Sequence, residues 1–232
     1  MISFDIERDL YYKDIVMIGV DEAGRGSWAG PLVSTACWFN FTKYKSLHSE
    51  INDSKKLKSS KRKEIILSLD NFVNYSSSIA SVNEIDKYGL SYANAIAMKR
   101  SIFSIIHQLK KNTQIIRKKH FRIYVDGKFK PDFENLDNFL QFKKLHLENY
   151  SVESLVKGDS HCKTIALASI ISKETRDTIM RQISKKYPSY LFDSHFGYGT
   201  SKHINAILKN GVLDLHRKSF KPIVTIYSKK NK

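Results

Sequence analysis

Apolar residues first run together at Ile-Val-Met-Ile-Gly-Val, positions 15–20. Six residues is strand length and short for a helix, so the run predicts a β-strand. A glycine-rich turn follows, and residues 31–38 predict a second strand. The two would form a hairpin with a connection longer than a tight turn. Residues 75–82, 121–125 and 151–156 predict three more strands. Between them the apolar spacing becomes helical. A helix is expected around residues 63–70, capped by Ser59 or Ser60. A short helix capped by Asn83 should end near Gly89, and a longer one should run from Ser91 to about Lys111. In the longer one Ala95, Met98, Ile102, Ile105, Ile106 and Leu109 hold helical spacing. Residues 163–186 predict a long helix in which Ala166, Ala168 and Ser169 allow close packing on one side. Residues 201–210 predict a further helix stopped by Gly211 in the αL conformation. The stretch 128–147 mixes aromatics with charge and predicts no element. Strands alternating with helices after two consecutive strands imply an α/β fold, a mixed sheet flanked by helices.

With 232 residues the chain can bury one substantial core. The expected division is one compact domain over 1–190 and a helical C-terminal extension over 191–232. Four prolines and ten glycines leave no room for a long linker. No repeat or low-complexity tract stands out. Residues 1–14 are acidic and basic by turns, without an apolar signal core, and nothing approaches the ~18 apolar residues that span a bilayer. Cys37 and Cys162 are far apart without a CxxC pair, which indicates neither disulfides nor zinc. An intracellular, cytoplasmic protein with no membrane partner is expected.

Charge changes the picture of the partner. The chain carries 39 Lys+Arg against 23 Asp+Glu, a formal net charge of +16. That field favours polyanions. A lysine-rich composition, with Ile, Asn, Ser and Tyr also abundant, is the plainer explanation, but the excess persists through the middle and C-terminal parts.

Acidic residues punctuate this basic chain at strand ends: Asp21-Glu22 after the first strand, Asp126 after the fourth and Asp159 after the last. Any one of them alone is better explained as a loop cap or a surface charge. Carboxylates meeting where strand ends converge would raise one another's pKa unless cations intervene. Hard divalent cations with oxygen ligands, Mg²⁺ or Mn²⁺, answer that requirement. Gly24, Gly26 and Gly30 beside the first pair would let backbone approach an anionic ligand closely.

Residues Asp21-Glu-Ala-Gly-Arg-Gly26, Ala29-Gly-Pro31, Asp53-Ser-Lys-Lys-Leu57, Val125-Asp-Gly127 and Lys157-Gly-Asp159-Ser resemble the motif series of ribonuclease HII. So do Ala168-Ser-Ile-Ile-Ser-Lys173, Thr175-Arg-Asp177, Gly197-Tyr-Gly-Thr200 and His216-Arg-Lys-Ser-Phe220. The likeness runs in order over nearly the whole chain. Ala-Gly-Arg-Gly in the first motif, rather than the Ser-Gly-Lys-Gly of the sister type HIII, decides between the two. The resemblance implies a ribonuclease H-like fold with a helical C-terminal region. It implies an endoribonuclease that cuts RNA in RNA–DNA hybrid duplexes and incises DNA 5′ to single embedded ribonucleotides, as in ribonucleotide repair. Two-metal hydrolysis would leave 5′-phosphate and 3′-hydroxyl ends. By the same resemblance Asp21, Glu22, Asp126 and Asp159 are the metal-binding catalytic carboxylates, Gly24, Arg25 and Gly26 grip the junction, Tyr198 reads it, and Asp177 is an accessory acid. A monomer is expected.

Asp177 has an alternative, because Lys173 and Arg181 lie four residues to either side on a helix and could pair with it. Lys55 and Lys56 are expected to contact phosphate, against the plainer account of a solvated loop. His195, His203 and His216 lack HxxxH spacing and read as ordinary polar residues. Three features depart from the family pattern: Trp28 behind the glycine turn, Glu174 in the long helix, and the long segment between Asp126 and Asp159. Two rival functions carry different signatures. A basic RNA-binding or ribosome-associated protein would leave a ribonucleotide-containing duplex intact, and a junction resolvase would prefer branched DNA.

Overall fold

The computed structural model describes residues 2–112, 119–128, 131, 133 and 149–230. The unassigned stretch 128–147 therefore falls almost wholly outside the described residues. Helix α1 (Asp5–Tyr12) precedes a five-stranded sheet of β1 (Val16–Ala23), β2 (Leu32–Phe39), β3 (Val73–Ala80), β4 (Phe121–Asp126) and β5 (Tyr150–Leu155). The strand order is β3-β2-β1-β4-β5. The first three strands are antiparallel neighbours, and β4 and β5 add in parallel. The remaining main helices are α2 (Ser59–Leu67), α3 (Val82–Tyr88), α4 (Leu90–Asn112), α5 (Lys163–Lys186), α6 (Ser201–Asn210) and α7 (Ile223–Lys230).

The pleat of β1 sorts its side chains between two helices. Val16, Ile18 and Val20 join Ile123 and Val125 of β4 and Met98, Ile102, Ile105 and Ile106 of α4 in one core. Met17 on the opposite face packs with Ile165 of α5. Gly19 shares that face, where a Cβ would lie 2.7 Å from the backbone of Thr164 and Ile165. The missing side chain lets the N-terminal turn of α5 lie directly on the central strand. Glu7 of α1 caps that turn from outside, its Oε1 accepting from the Thr164 amide at 2.9 Å and hydroxyl at 3.0 Å. A carboxylate suits the positive end of a helix.

Several expected boundaries move for identifiable reasons. The first strand does not stop before the acidic pair: it includes Asp21 and Glu22, because antiparallel β2 keeps pairing as far as Ala23↔Val33. Parallel β4 pairs only to Val20↔Val125. Helix α2 begins at Ser59, with Lys58 at its cap and no side-chain cap bond. Ser81, rather than Asn83, caps α3 in a reciprocal capping box with Glu84. Gly211 ends α6 at φ 90°, ψ −177°, an extended glycine conformation rather than αL.

The C-terminal segments pack on the start of the chain. Trp28, Ala29, Met180, Tyr190, Phe192 and Ile207 share a cluster. His195, His203 and His216 lie among them, all buried. The sequence marked them only as ordinary polar residues, yet they form a packed cluster: the rings of His195 and His203 stack at 4.4 Å, and Trp28 lies 5.6 Å from His203. Among the described residues no helix is long and apolar enough to cross a membrane.

Burial pushes His203 and His216 down from 6.5 to about 4. Between those values the unfolded chain binds more protons than the folded one. The pair's stabilising contribution is therefore complete above the unfolded value and lost as the pH falls towards 4. Imidazole NMR signals of both residues should remain neutral at about pH 5.5, where an unperturbed histidine is largely protonated. Signals titrating near the free value would contradict a buried neutral pair.

Candidate active site

Asp21, Asp126 and Asp159 each bring a carboxylate oxygen within 4.8 Å of the others. Register explains two of the three. Val20 pairs with Val125, so Asp21 and Asp126 follow side by side on adjacent parallel strands. Both lie on the face of the sheet covered by α5, since side chains alternate along each strand. Asp159 is not on a strand end: β5 stops at Leu155, Lys157 takes a left-handed conformation, and Asp159 sits in a one-turn helix, Gly158–His161. Its amide donates to Asp126 Oδ1 at 3.3 Å.

Glu22 points to the other face, towards α4. Its Oε1 lies 3.6 Å from the Arg25 guanidinium, and its Oε2 is buried without a partner. Asn94 of α4 is fully buried, and neither end of its amide meets hydrogen-bond geometry with another group among the described residues. It stands close enough to lower the Glu22 pKa. Glu22 is thus beside the three aspartates but outside their 4.8 Å group.

The electrostatics are those of a site prepared for cations. Asp21 is pushed well above the ordinary carboxylate range, first by burial, then by Glu22 and Asp126; the Ser169 hydroxyl opposes this. Asp126 is raised by burial and by Asp159. Glu22 is raised by burial against the lowering effect of Arg25. Three clustered oxygen ligands of this kind, with an orphaned carboxylate oxygen beside them, fit a hard divalent ion. Partial burial lowers the Lys55 pKa, but Asp159, Asp21, Asp53 and Asp126 outweigh it and the net shift is upward. Lys55 therefore stands within the field of the site. Lys56, exposed, ends the short turn Ser54–Lys56 next to it.

The glycine turn is held from beneath by two fully buried arginines. Arg176 donates to the carbonyls of Pro31 at 2.9 Å, Phe196 at 2.9 Å and Ala29 at 3.1 Å, and to Ser27 Oγ at 2.8 Å. Arg217 donates to the carbonyl of Arg25 at 2.9 Å and twice to that of Gly30, at 3.0 and 3.2 Å. Gly24 has φ 95°, and a Cβ there would lie 2.1 Å from Arg176 Nε. Gly26 differs: its φ is not positive, and a Cβ would meet nothing within 4 Å. Tyr198 is joined to the turn by a β-bridge to Ser27. Its ring lies 5.2 Å from the Arg176 guanidinium and 5.6 Å from Lys173 Nζ.

Asp177 is engaged elsewhere. Its two oxygens accept from Arg62 at 2.8 Å and Lys173 at 2.7 Å. Lys173 is one of the two partners expected from helical spacing, whereas Arg181 pairs with Glu174 at 2.7 Å. Glu174, apolar in the family pattern, also receives Arg62 at 3.1 Å and Ser59 Oγ. This buried network docks α2 against α5, and Arg62 reaches on to the Leu57 carbonyl beside Lys55 and Lys56. Sequence reasoning assigned no role to Arg176, Arg217 or Asn94, and gave Ser169 only close packing along the long helix, not its hydroxyl beside Asp21. For the arginines the available signal was their place inside the quoted motifs; for Asn94 nothing marks it before its helix is packed.

Solved structures with the same fold identify the class. The crystal structure of the ribonuclease H2 from Pyrococcus horikoshii matches with a TM-score of 0.68 at 22% identity, covering 93% of this chain and 99% of that one. The Bst-RNase HIII structure in complex with Mn²⁺ also reaches 0.68, at 17% identity over 94% of this chain and 71% of its own. The fold is that of the type 2 ribonucleases H. Sequence comparison is narrower: the family model for Ribonuclease HII matches residues 18–223. The ribonuclease HII of Fusobacterium nucleatum is 38% identical over 216 residues, covering 91% of this chain and 87% of that one. The ribonuclease HII of Chlamydia caviae is 37% identical over 222 residues, 94% and 90% of the two chains. The chain belongs to the ribonuclease HII family, and so to the divalent-metal-dependent hydrolases that cut RNA in RNA–DNA hybrids.

The two glycines of the turn separate packing from ligand access. Gly24→Ala should lower thermal stability, because its Cβ strikes Arg176 and its φ disfavours a side chain. Gly26→Ala should leave the melting temperature unchanged and weaken binding of a hybrid duplex. Equal melting temperatures with equal binding would remove the turn from the substrate cradle.

Proposed function

We propose that this ribonuclease HII incises DNA on the 5′ side of a single embedded ribonucleotide, in addition to cutting continuous hybrid. The observation that carries this reading is the meeting of Asp21, Asp126 and Asp159 beside a glycine turn bridged to Tyr198. Asp21, Asp126 and Asp159, with Glu22 at their edge, would hold two divalent ions, Mg²⁺ or Mn²⁺. When bound, such ions supply an activated water and neutralise charge on the departing 3′ oxygen. The rest is the work of the chain's own groups. Ser169 and the amides of Gly158 and Asp159 favour the ionised carboxylates that ligation requires. Open space above Gly26 allows peptide groups of the turn to reach a 2′-hydroxyl, the group that distinguishes the ribose. Arg25, exposed at the tip, is placed for a phosphate. The Tyr198 ring, backed by Arg176, offers a flat surface to the next sugar, where an extra hydroxyl would fit poorly. Lys55 and Lys56 neutralise phosphate along the duplex. Asp177 serves the site indirectly, by fixing Arg62 and with it the loop that carries both lysines.

The test is a DNA duplex containing one ribonucleotide, incubated with and without Mg²⁺ or Mn²⁺. Metal-dependent incision with 5′-phosphate and 3′-hydroxyl products is expected. A 2′,3′-cyclic phosphate would indicate attack by the ribose and overturn the mechanism. Preference for branched DNA would indicate a resolvase instead. Asp126→Asn should abolish turnover with the fold intact.

Tyr198→Ala provides a second, separate expectation. It should lose activity mainly on the single-ribonucleotide duplex and retain relatively more on continuous hybrid. Equal losses on both would reassign junction reading to another group.

A further inference from the structure

The backbone amide and carbonyl of Tyr198 are both tied to histidines. The Tyr198 amide donates to the His195 carbonyl at 2.9 Å, and the Tyr198 carbonyl lies 3.0 Å from His203 Nδ1. Behind His203 stands His216, the two Nε2 atoms 3.2 Å apart. At the far end the Leu213 amide donates to His216 Nδ1 at 2.9 Å.

The shorter contacts fix one set of protons. His216 Nδ1 lies 2.9 Å from the Leu213 amide and 3.3 Å from the Leu213 carbonyl. The nearer amide can only donate, so His216 Nδ1 is bare and its proton sits on Nε2. That proton points at His203 Nε2, which must accept it and therefore carries none. The remaining His203 proton is on Nδ1 and donates to the Tyr198 carbonyl. His195 is fixed by the same logic: the Gly197 amide donates to its Nδ1 at 3.2 Å, leaving Nε2–H for the Tyr190 carbonyl at 2.9 Å. Neutral imidazoles satisfy every bond, whereas an extra proton on either member of the 203–216 pair would set two N–H groups against each other.

We propose that His203, backed by His216, is a positioning residue for Tyr198, holding its peptide and therefore its ring in register with the glycine turn. The proposal rests on the reading of Tyr198 as the residue that senses the ribo-to-deoxyribo step. The relay ends at Tyr198, whose backbone bridges to Ser27, and His216 itself bridges to Ala29 on the other side of the same turn. A purely structural histidine cluster has no need to terminate on that carbonyl. Trp28 closes the cluster by packing 5.6 Å from the His203 ring, so the family departure at position 28 belongs to this device.

The wild-type protein tests the relay first. Side-chain ¹⁵N NMR should show His203 protonated on Nδ1 and His216 on Nε2, with a through-bond coupling between the two Nε2 atoms. The reverse tautomer at His203, or no coupling, would overturn the proposal without reference to activity. Two variants then test the function. His203→Phe keeps a ring but removes the donor; His203→Asn keeps a donor near the Nδ1 position. The ratio of rates on single-ribonucleotide duplex over continuous hybrid should fall about three- to tenfold in His203→Phe, the range of one lost neutral hydrogen bond. In His203→Asn it should recover most of the wild-type ratio. Equal losses on both substrates, or no rescue by Asn, would make the cluster merely structural. Should His203→Phe fail to fold, His216→Phe approaches from the other end, releasing His203 from its fixed tautomer with the same selective loss expected. If the wild type cuts hybrid but never a single ribonucleotide, the functional reading fails while the NMR result still decides the relay.

Discussion

Two buried cations with no carboxylate hydrogen-bond partner among the described residues hold the glycine turn in shape. Arg176 and Arg217 are fully enclosed, and among the described residues their hydrogen bonds go to backbone carbonyls and to Ser27. Burial pushes both guanidinium pKa values down, Arg217 to about 9, which leaves Arg217 charged at neutral pH. Enclosing an unpaired charge is costly, and bonds to carbonyl dipoles offset only part of that cost. What the arrangement provides is orientation. Carbonyls of Arg25, Ala29, Gly30 and Pro31 are drawn inward, which frees the opposite side of the turn for a ligand. Two positive charges beneath it also make that side attractive to phosphate. Arg176 further reaches Phe196, two residues before Tyr198, so the same side chain links the turn to the loop that faces it.

A second constraint is the pleat of β1. Adjacent residues on a strand face opposite ways, so the Asp21-Glu22 pair cannot act as one bidentate unit. Asp21 meets Ser169 on the α5 side and joins Asp126 and Asp159; Glu22 meets Asn94 and Arg25 on the α4 side. The carboxylates consequently wrap the end of the parallel pairing, where β4 stops and β1 continues. The overhang of β1 past Val20↔Val125 is what opens a gap between the two sides. Had β1 ended at Val20, as its apolar run suggests, Asp21 and Glu22 would lie on a free loop with no pleat to divide them.

This contrast shows what could be read in the chain before folding. The sheet's strands and the long helices follow from apolar periodicity, and α5 runs over the expected residues 163–186. The strand ends do not, because they depend on which partner keeps pairing: β1 is lengthened by β2, a contact that no property of residues 21–23 announces. The acidic positions were visible because carboxylates are conspicuous in a basic chain. Arg176 and Arg217 were obscured by that same basicity: their place inside the quoted motifs singled them out, but composition does not separate an enclosed arginine from an exposed one. The three histidines were missed because their spacing of eight and thirteen residues matches no linear ligand motif. They meet only when α6 and the loop at 211–216 fold against residues 190–198.

The buried network around Glu174 explains how so unfavourable a site is kept in place. Asp21, Glu22 and Asp126 are all desolvated, and such groups persist where the surroundings over-determine the backbone. Arg62, Glu174, Asp177, Lys173 and Arg181 tie α2 and the loop carrying Lys55 to α5, the helix that also bears Ser169 and Arg176. Helix α5 thus contacts the carboxylates through Ser169, the glycine turn through Arg176, and the basic loop through Glu174 and Asp177. Its N-terminal turn is fixed on the sheet by Gly19 and by the Glu7 cap. The clustered carboxylates, the glycine turn and the loop carrying Lys55 and Lys56 are therefore referred to one rigid element. The charge at Glu174 does not reach the clustered aspartates, because it is engaged by Arg62 and Arg181 within that element and its neighbours.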